Sequence, residues 1–299
     1  MKIIQLVHNP SAGKQNHSRT SLMESLKREG HLVKYVSTED ENWEDFIKNK
    51  PEVIYVAGGD GTVHKVASVL VETKYTEAPV HIIPLGTANN IALSLPVTFT
   101  SHNELFMQRQ LQELDYGVTK GINSDTYFFE SAGIGLFPAL MKEIKERKKK
   151  LSPEEELNWI LEVLLKMSKD FKPFKAKLKF DGVRLKGSFL LIEVMNIQYL
   201  GPNLNFAPGA DASDGYFDLI LIPEKRRPQL INYLQKLISG EHSTQDLKSF
   251  LKTVKIQNLS LKSKASEMHI DDELILKDDV KLKFKILQEP LKFFSTPEE

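Results

Sequence analysis

The chain contains no cysteine. That excludes disulfides, thiolate metal sites and cysteine nucleophiles, and it is compatible with a reducing compartment. It also lacks any window approaching 18 uncharged apolar residues, so no helix legible in the sequence spans a bilayer. The apolar start, Met-Lys-Ile-Ile-Gln-Leu-Val, turns polar at His8-Asn9, too soon for a secretory signal. Net charge is missing as well. Forty acidic and forty basic side chains cancel, so no global field steers the protein to nucleic acid or to an anionic membrane. Any such attraction needs a local patch. The eight histidines show no metal-ligand spacing; His64 and His81 read as structural or solvent-facing, and Trp43 and Trp159 as packing residues. Internal repeats and low-complexity linkers are absent.

What is present belongs to a folded globular protein: 41% hydrophobic and 27% charged residues, over a length of 299 that suits two domains. The first 120 residues alternate strands (Lys2–Val7, Leu32–Val36, Val53–Val56, Val80–Pro84) with helical stretches (His17–Arg28, Trp43–Lys48 and one after Gly61). This order predicts a parallel sheet covered by helices, with ligands beyond the strands' carboxyl ends. Near Tyr116-Gly117 the character changes. Runs at Thr126–Glu130, Ala176–Phe180, Gly187–Asn196, Tyr216–Ile222, Thr253–Leu261, Met268–Ile270 and Val280–Ile286 predict an antiparallel sandwich or barrel. Helical spacing interrupts it at Pro138–Phe171 and Gln229–Ile238. The fold expected is therefore an α/β N-terminal domain, 1–119, and a β-sandwich domain, 120–286. Residues 287–299 are a candidate return to the first.

Three glycine-containing loops follow strands of the parallel sheet. Gly58-Gly59-Asp60-Gly61-Thr62 lies between a strand and a helix, where exposed amides and the helix N-terminus suit phosphate. Asp60 would repel bare phosphate, and makes sense there if it holds Mg²⁺, directly or through water. The bland alternative is a glycine turn with Asp60 as a helix cap. Asn9-Pro10-Ser11-Ala12-Gly13-Lys14 follows the first strand, without Walker A spacing. Pro84-Leu85-Gly86-Thr87-Ala88-Asn89-Asn90 follows the fourth. Each loop alone is an ordinary turn; three at one sheet edge point to a polyphosphate.

Together, Asn-Pro-x-x-Gly, Gly-Gly-Asp-Gly-Thr and Pro-Leu-Gly-Thr-Ala-Asn resemble the diacylglycerol kinase catalytic-domain family, above all its soluble bacterial and YegS-type lipid kinases. The second half is similar too, through Phe128 to Gly135, Ala207-Pro208-Gly209-Ala210, Ser213-Asp214-Gly215-Tyr216-Phe217-Asp218 and Ile270-Asp271-Asp272-Glu273. The resemblance implies a nucleotide-binding α/β domain, NAD-kinase-like, and a β-sandwich lipid domain, with catalysis in a cleft between them. ATP and Mg²⁺ are the implied co-substrate and cofactor. Nucleotide contacts fall on Asn9, Pro10, Ser11, Ala12, Gly13, Thr38, Gly58, Gly59, Asp60, Gly61, Thr62, Gly86 and Thr87, reaching as far as Lys65. Asp60 and Asp115 match carboxylates of a Mg²⁺–water network, and Asp271 and Glu273 the acidic pair that takes the lipid hydroxyl proton. Asp214, with the carbonyls of Asp211 and Tyr216, matches a second, structural Mg²⁺ site. On a continuous strand Asp271 and Glu273, two apart, would share a face; a turn there would break that inference.

Three positions depart from the family pattern: Asn90 stands for Asp, Asp272 for the central glycine of Asp-Gly-Glu, and His64-Lys65 for Asn-Glu. If that glycine needs φ > 0, Asp is a tolerated substitute. The implied partner is a lipid at the membrane surface, met transiently from the cytoplasm, with no nucleic acid, no transmembrane segment and homodimerisation open. Lys145–Lys150 is a candidate headgroup contact, although such a run is more often the solvated face and end of a helix. The acceptor lipid is not legible. A soluble kinase of the NAD-kinase type and a non-catalytic nucleotide- or lipid-binding homologue remain as alternatives.

Overall fold

The computed structural model describes residues 2–13, 17–27, 31–95, 110–122, 125–146, 153–265, 267–276 and 279–295. They divide into two compact units. One comprises residues 1–116, 211–214 and 287–299, and the other 117–210 and 215–286.

In the first unit the elements run β1 (Ile3–His8), α1 (Arg19–Lys27), β2 (Leu32–Ser37), a 3₁₀ turn (Trp43–Asn49), β3 (Val53–Gly58), α2 (Asp60–Glu72), β4 (Val80–Pro84), α3 (Asn90–Ser94) and the start of β5 (Gln110–Lys120). Strands β1 to β4 are parallel in the order β2-β1-β3-β4. All six residues of β3 are buried, as befits a central parallel strand covered on both faces. Its Val53, Tyr55 and Ala57 pack with Ile4, Leu6, Leu22, Leu26 and Val33. Because β1 lies between β2 and β3, the chain leaves it in one direction and resumes at β3 in the other. Their carboxyl ends thus form the switch point where open α/β sheets bind ligands.

The second unit holds β6 (Thr126–Phe128), β7 (Ser131–Gly135), α4 (Leu136–Glu146), α5 (Pro153–Asp170), β8 (Phe174–Phe180), β9 (Val183–Met195), β10 (Tyr199–Leu200), β11 (Leu204–Asn205) and β12 (Phe217–Pro223). There follow α6 (Arg227–Ser239), α7 (Thr244–Phe250), β13 (Lys252–Ile256), β14 (Asn258–Ser263), β15 (Glu267–Ile270), β16 (Glu273–Leu276) and β17 (Lys281–Ser295), whose end returns to the first unit. There Phe293 pairs in parallel with Val80 of β4. The remaining main pairings are antiparallel. The 13-residue β9 joins β8 along its first half, and β7 and β12 along its second. One apolar core fills the sandwich interior, with Phe128, Leu178, Phe217, Leu261 and Phe284 at its heart. A second lies under α4 to α7, where Leu140, Leu164 and Leu234 cover Leu190 and Ile220.

Several expected elements take a different form. Thr253–Leu261 is two strands, broken at Gln257, and the Pro138–Phe171 stretch is two helices. Strand β5 was not expected. Its second half is buried on both faces, with Asp115 and Thr119 among the buried side chains, so neither alternation nor an apolar run betrays it. Lys14 and Lys148 to Lys150 lie outside the described residues. Among those described, no helix is long and apolar enough to cross a membrane.

Candidate functional site

The three loops of the first unit meet at the switch point. After β1, the Asn9 backbone N–H donates to the Ala57 carbonyl (2.9 Å) and its Nδ2 to Thr62 Oγ1 (3.2 Å), tying the first loop to the start of α2. Asn9 Oδ1 in turn accepts Ser11 N–H (3.1 Å) and Oγ–H (2.7 Å), so the side chain builds the turn it belongs to. Gly13 has φ 53°, and a Cβ there would strike the Leu85 carbonyl of the loop after β4. Gly59 and Gly86 approach as closely: a Cβ on Gly86 would fall 2.5 Å from the Gly59 Cα. These glycines are needed because backbone packs on backbone.

Asp60 opens α2, with Gly59 as an uncapped N-cap. Its Oδ1 accepts Ile91 N–H at 3.0 Å and its Oδ2 Asn90 N–H at 2.9 Å, so it satisfies the start of α3. Neither sequence reading of Asp60 named this partner. Asn90 is buried and supplies one of the amides that orient Asp60. Asn89, which sequence reasoning gave no role, has φ 55° and clamps Gly86 with two 2.9 Å hydrogen bonds. An Asn before a short helix after Gly-Thr-Ala was the available signal. Thr38 follows β2 and is held by His8, whose carbonyl accepts its N–H at 2.9 Å; Thr87 and Lys65 are exposed. Asp115 is buried on β5, and its N–H donates to Ala212.

Behind the first loop lies a chain of rings also absent from the sequence reading. His8 Nδ1 meets the Tyr35 hydroxyl (3.0 Å), His8 Nε2 meets His17 Nδ1 (2.8 Å), and His17 Nε2 meets the Ala12 carbonyl (3.0 Å). Burial, and then the charge of His17, lower the His8 pKa below the usual histidine value.

In the second unit the expectation for Asp271 and Glu273 changes. They do not share a strand: Ile270 pairs with Glu273, and Asp271-Asp272 forms the hairpin turn. The positive φ of 47° falls on Asp271, while Asp272 has no positive φ. The Asp271 carboxylate turns inward. It accepts the backbone N–H groups of Phe129 (3.0 Å), Glu130 (2.9 Å) and Ser131 (3.0 Å), and is only 6% exposed. Glu273 is exposed. Beneath the turn, His269 Nδ1 lies 2.8 Å from the Asp271 carbonyl and Nε2 lies 2.7 Å from Glu193 Oε1. Burial would push His269 down, but the charge and hydrogen bond of Glu193, with Asp271 beside it, raise its pKa instead. A carbonyl and a carboxylate, both acceptors, flank the ring, consistent with an imidazolium–carboxylate pair. Glu193 Oε2 packs against Gly133, where any Cβ would collide with it. This pair was missed because a His or Glu at a buried strand position carries no sequence signature beyond its register.

The other candidate cation residues are partly occupied. Asp211 Oδ1 accepts Ser213 N–H (2.9 Å) and Oγ–H (2.7 Å), and the Asp211 carbonyl accepts Asp214 N–H weakly at 3.5 Å. Asp211 and Asp214 belong to the first unit and Tyr216, exposed, to the second. Among the described residues no three His, Asp or Glu side chains gather as a metal cluster.

The chain joins a parallel sheet with glycine loops at its switch point to an antiparallel sandwich. Residues 4–119 match the diacylglycerol kinase catalytic domain, and residues 139–281 the YegS C-terminal NAD kinase beta sandwich-like domain. The chain thus pairs a diacylglycerol kinase catalytic domain with a YegS-type C-terminal domain, the domain pair of a lipid-kinase family. It is 25% identical over 251 residues to a diacylglycerol kinase of Staphylococcus haemolyticus, covering 81% of this chain and 73% of that one. A diacylglycerol kinase structure from Bacillus anthracis superposes with TM-score 0.70 at 19% identity, over 99% of this chain and 97% of that one. An NAD kinase from Archaeoglobus fulgidus follows at TM-score 0.54 and 14% identity, covering 98% and 94%. At these identities the two structures bear on the fold alone: an NAD-kinase-like α/β part with a β-sandwich.

Proposed function

We propose that the chain transfers the γ-phosphoryl group of ATP to a hydroxyl of a membrane lipid such as diacylglycerol, in a Mg²⁺-dependent reaction. One observation carries the reading: three glycine loops locked backbone to backbone at the β1/β3 switch point. Phosphoryl transfer needs positioning and charge neutralisation more than covalent help from the protein. The loops at residues 9–13, 58–62 and 86–87 supply the first, with Thr38 beside β1; the N–H groups of Asn9, Ser11, Ala12, Thr62 and Gly86 shape these loops by donating to protein acceptors.

The donor set suits a cation held jointly with phosphate oxygens. Mg²⁺ keeps several waters and takes one or two carboxylates rather than a protein cage. Asp60 and Asp115 would hold it, Asp60 lying where the loops meet with each of its oxygens oriented by a backbone amide. When bound, the cation neutralises the triphosphate. Glu273 is assigned as acceptor of the lipid hydroxyl proton, because it is exposed. Asp271 is reassigned from proton acceptor to positioning residue: three amides occupy its carboxylate and fix the turn that carries Glu273. Asp214 with the carbonyls of Asp211 and Tyr216 would form the second, structural cation site, and no step is assigned to it.

The test feeds ATP labelled at the γ position, with and without Mg²⁺, to the protein beside a total lipid extract or NAD. Label should enter a lipid, and only with the divalent ion; mass spectrometry of that product names the acceptor. Label in NADP with none in lipid would overturn the reading in favour of the NAD-kinase type. ATP binding by calorimetry with no product from any lipid class would favour the non-catalytic alternative that Asn90, Asp272 and Lys65 suggest.

A further inference from the structure

Four neighbouring strands of the second unit, in the order β9-β8-β14-β17, alternate strictly along β8, β14 and the first part of β17. Leu178, Phe180, Leu259, Leu261, Leu282 and Phe284 face the sandwich core. The opposite face is almost wholly basic. Register sets Lys186 opposite Lys177, Lys177 opposite Lys262, and Lys262 opposite Lys281, four lysines in one row across four strands. The next row reads Arg184, Lys179, Ser260, Lys283. Lys175 and Lys285 extend the field, and all these basic residues are exposed.

At the usual strand spacing a four-residue row spans about 14 Å, with rows about 7 Å apart. Each charge thus lies within roughly a Debye length of several others, and water and salt screen them incompletely. Like charges directly across a ladder destabilise a sheet. Among the described residues none of these nine makes an ion pair, although the chain as a whole has an acid for every base. Among the described residues the acids bordering the field in these strands' turns are Asp181, whose carboxylate accepts the Gln257 and Asn258 N–H groups, and the exposed Asp279, two positions before Lys281. On the same face Lys120, Lys179, Lys283, Lys285 and Ser260 border a hollow of 440 Å³, large enough for a phosphate-bearing headgroup.

We propose that this lysine-rung face docks the protein on an anionic phospholipid bilayer, with a lipid headgroup phosphate in the hollow. A flat positive field with a neutral chain overall is complementary to a flat negative one, and juxtamembrane bases gain from such a surface individually. A polynucleotide fits less well. The aromatic side chains Phe180, Phe189 and Phe284 are buried on the other side, so no base can stack on them, and no helix projects from the face into a groove. The choice of a bilayer rests on the domain pair of a lipid-kinase family, but not on turnover by this chain.

The experiment is co-sedimentation of the full chain, without ATP, with vesicles of phosphatidylcholine alone or mixed with phosphatidylglycerol. The protein should sediment only with the anionic vesicles, and less as salt rises. Lys177→Gln, Lys186→Gln, Lys262→Gln and Lys281→Gln combined should lower partition by on the order of a hundredfold or more. Its melting temperature should not fall, because the substitutions relieve repulsion. A control combining Lys166→Gln, Lys169→Gln, Lys225→Gln and Lys248→Gln, also exposed, changes net charge equally and should leave binding nearly intact. Equal loss in the control, or undiminished binding by the rung variant, would overturn the proposal. So would binding to an RNA homopolymer that the rung variant loses while vesicles are ignored. Lipid phosphorylation in detergent micelles reports on the kinase reading separately: vesicle binding without turnover sinks that reading and leaves this one standing.

Discussion

Asp60 and Asp271 are both carboxylates that accept backbone amides, one in each unit, and they differ in where they sit and in how many amides they take. Asp60 takes two amides, one per oxygen, at the joined rim of three loops. Asp271 takes three amides in the interior and sits at a positive φ. The first is oriented by its partners and the second is consumed by them. On the proposed reading, backbone amides make one carboxylate a tool and the other a fastener, and substitution should separate the two roles.

The largest effect is expected at Asp60. Asp60→Ala should lower lipid phosphorylation by roughly a thousandfold or more, the scale for losing one preorganised electrostatic group. Its stability cost should be only about 1 kcal/mol, from the lost cap on α3. Steady-state kinetics beside thermal melting check both, and near-wild-type turnover would remove the metal role. Next comes Glu273→Gln, with a rate fall of roughly a hundredfold, the lower end of the range for a general base. Melting temperature and ATP affinity should hardly move; a large affinity loss would point to metal or structural work instead. Asp271→Ala inverts the pattern. It strands three amides at about 1 kcal/mol or more each, so a loss of about 3 kcal/mol is expected in denaturant unfolding. Full stability with lost turnover would return Asp271 to the role of proton acceptor.

The same contrast explains what the sequence could disclose. The α/β part was legible because its strands are apolar runs closed by glycine turns; Val80–Pro84 is read and observed with the same bounds. The three loops could be placed at strand ends, but not their mutual contact. That depends on Gly59 meeting Gly86 and Gly13 meeting Leu85 across 27 and 72 positions of chain. The β part was readable wherever one face is wet, as in Phe174–Phe180, and unreadable in β5, where both faces are buried. Asp271 misled because two acidic residues two apart look alike on paper. Only the register, Ile270 opposite Glu273, reveals the turn. The Glu193–His269 pair was invisible for a related reason: 76 residues separate its members, and an inward-facing polar residue in a strand looks like an outward-facing one.

Those histidines sharpen the comparison with the smallest effects. His8, in the first unit, has its pKa lowered by burial and then by His17. Below the ordinary histidine value the unfolded chain binds the proton that folded His8 resists, so the first unit loses stability as pH falls through that range. His269, in the second unit, is raised by Glu193 against the opposing effect of burial. Its contribution is fully present below the ordinary value and is lost as pH rises through the elevated one. Hydrogen exchange followed across pH can read the units separately. Amides of β1 and β3 should lose protection on the acid side, and those of Phe129, Glu130 and Ser131 on the alkaline side. His8→Gln should flatten the acid limb and leave the alkaline one. His269→Gln should do the reverse, with a lower plateau because Glu193 loses its buried counter-charge. An alkaline limb that persists in His269→Gln would show that the turn beneath Glu273 is held by something other than the imidazolium.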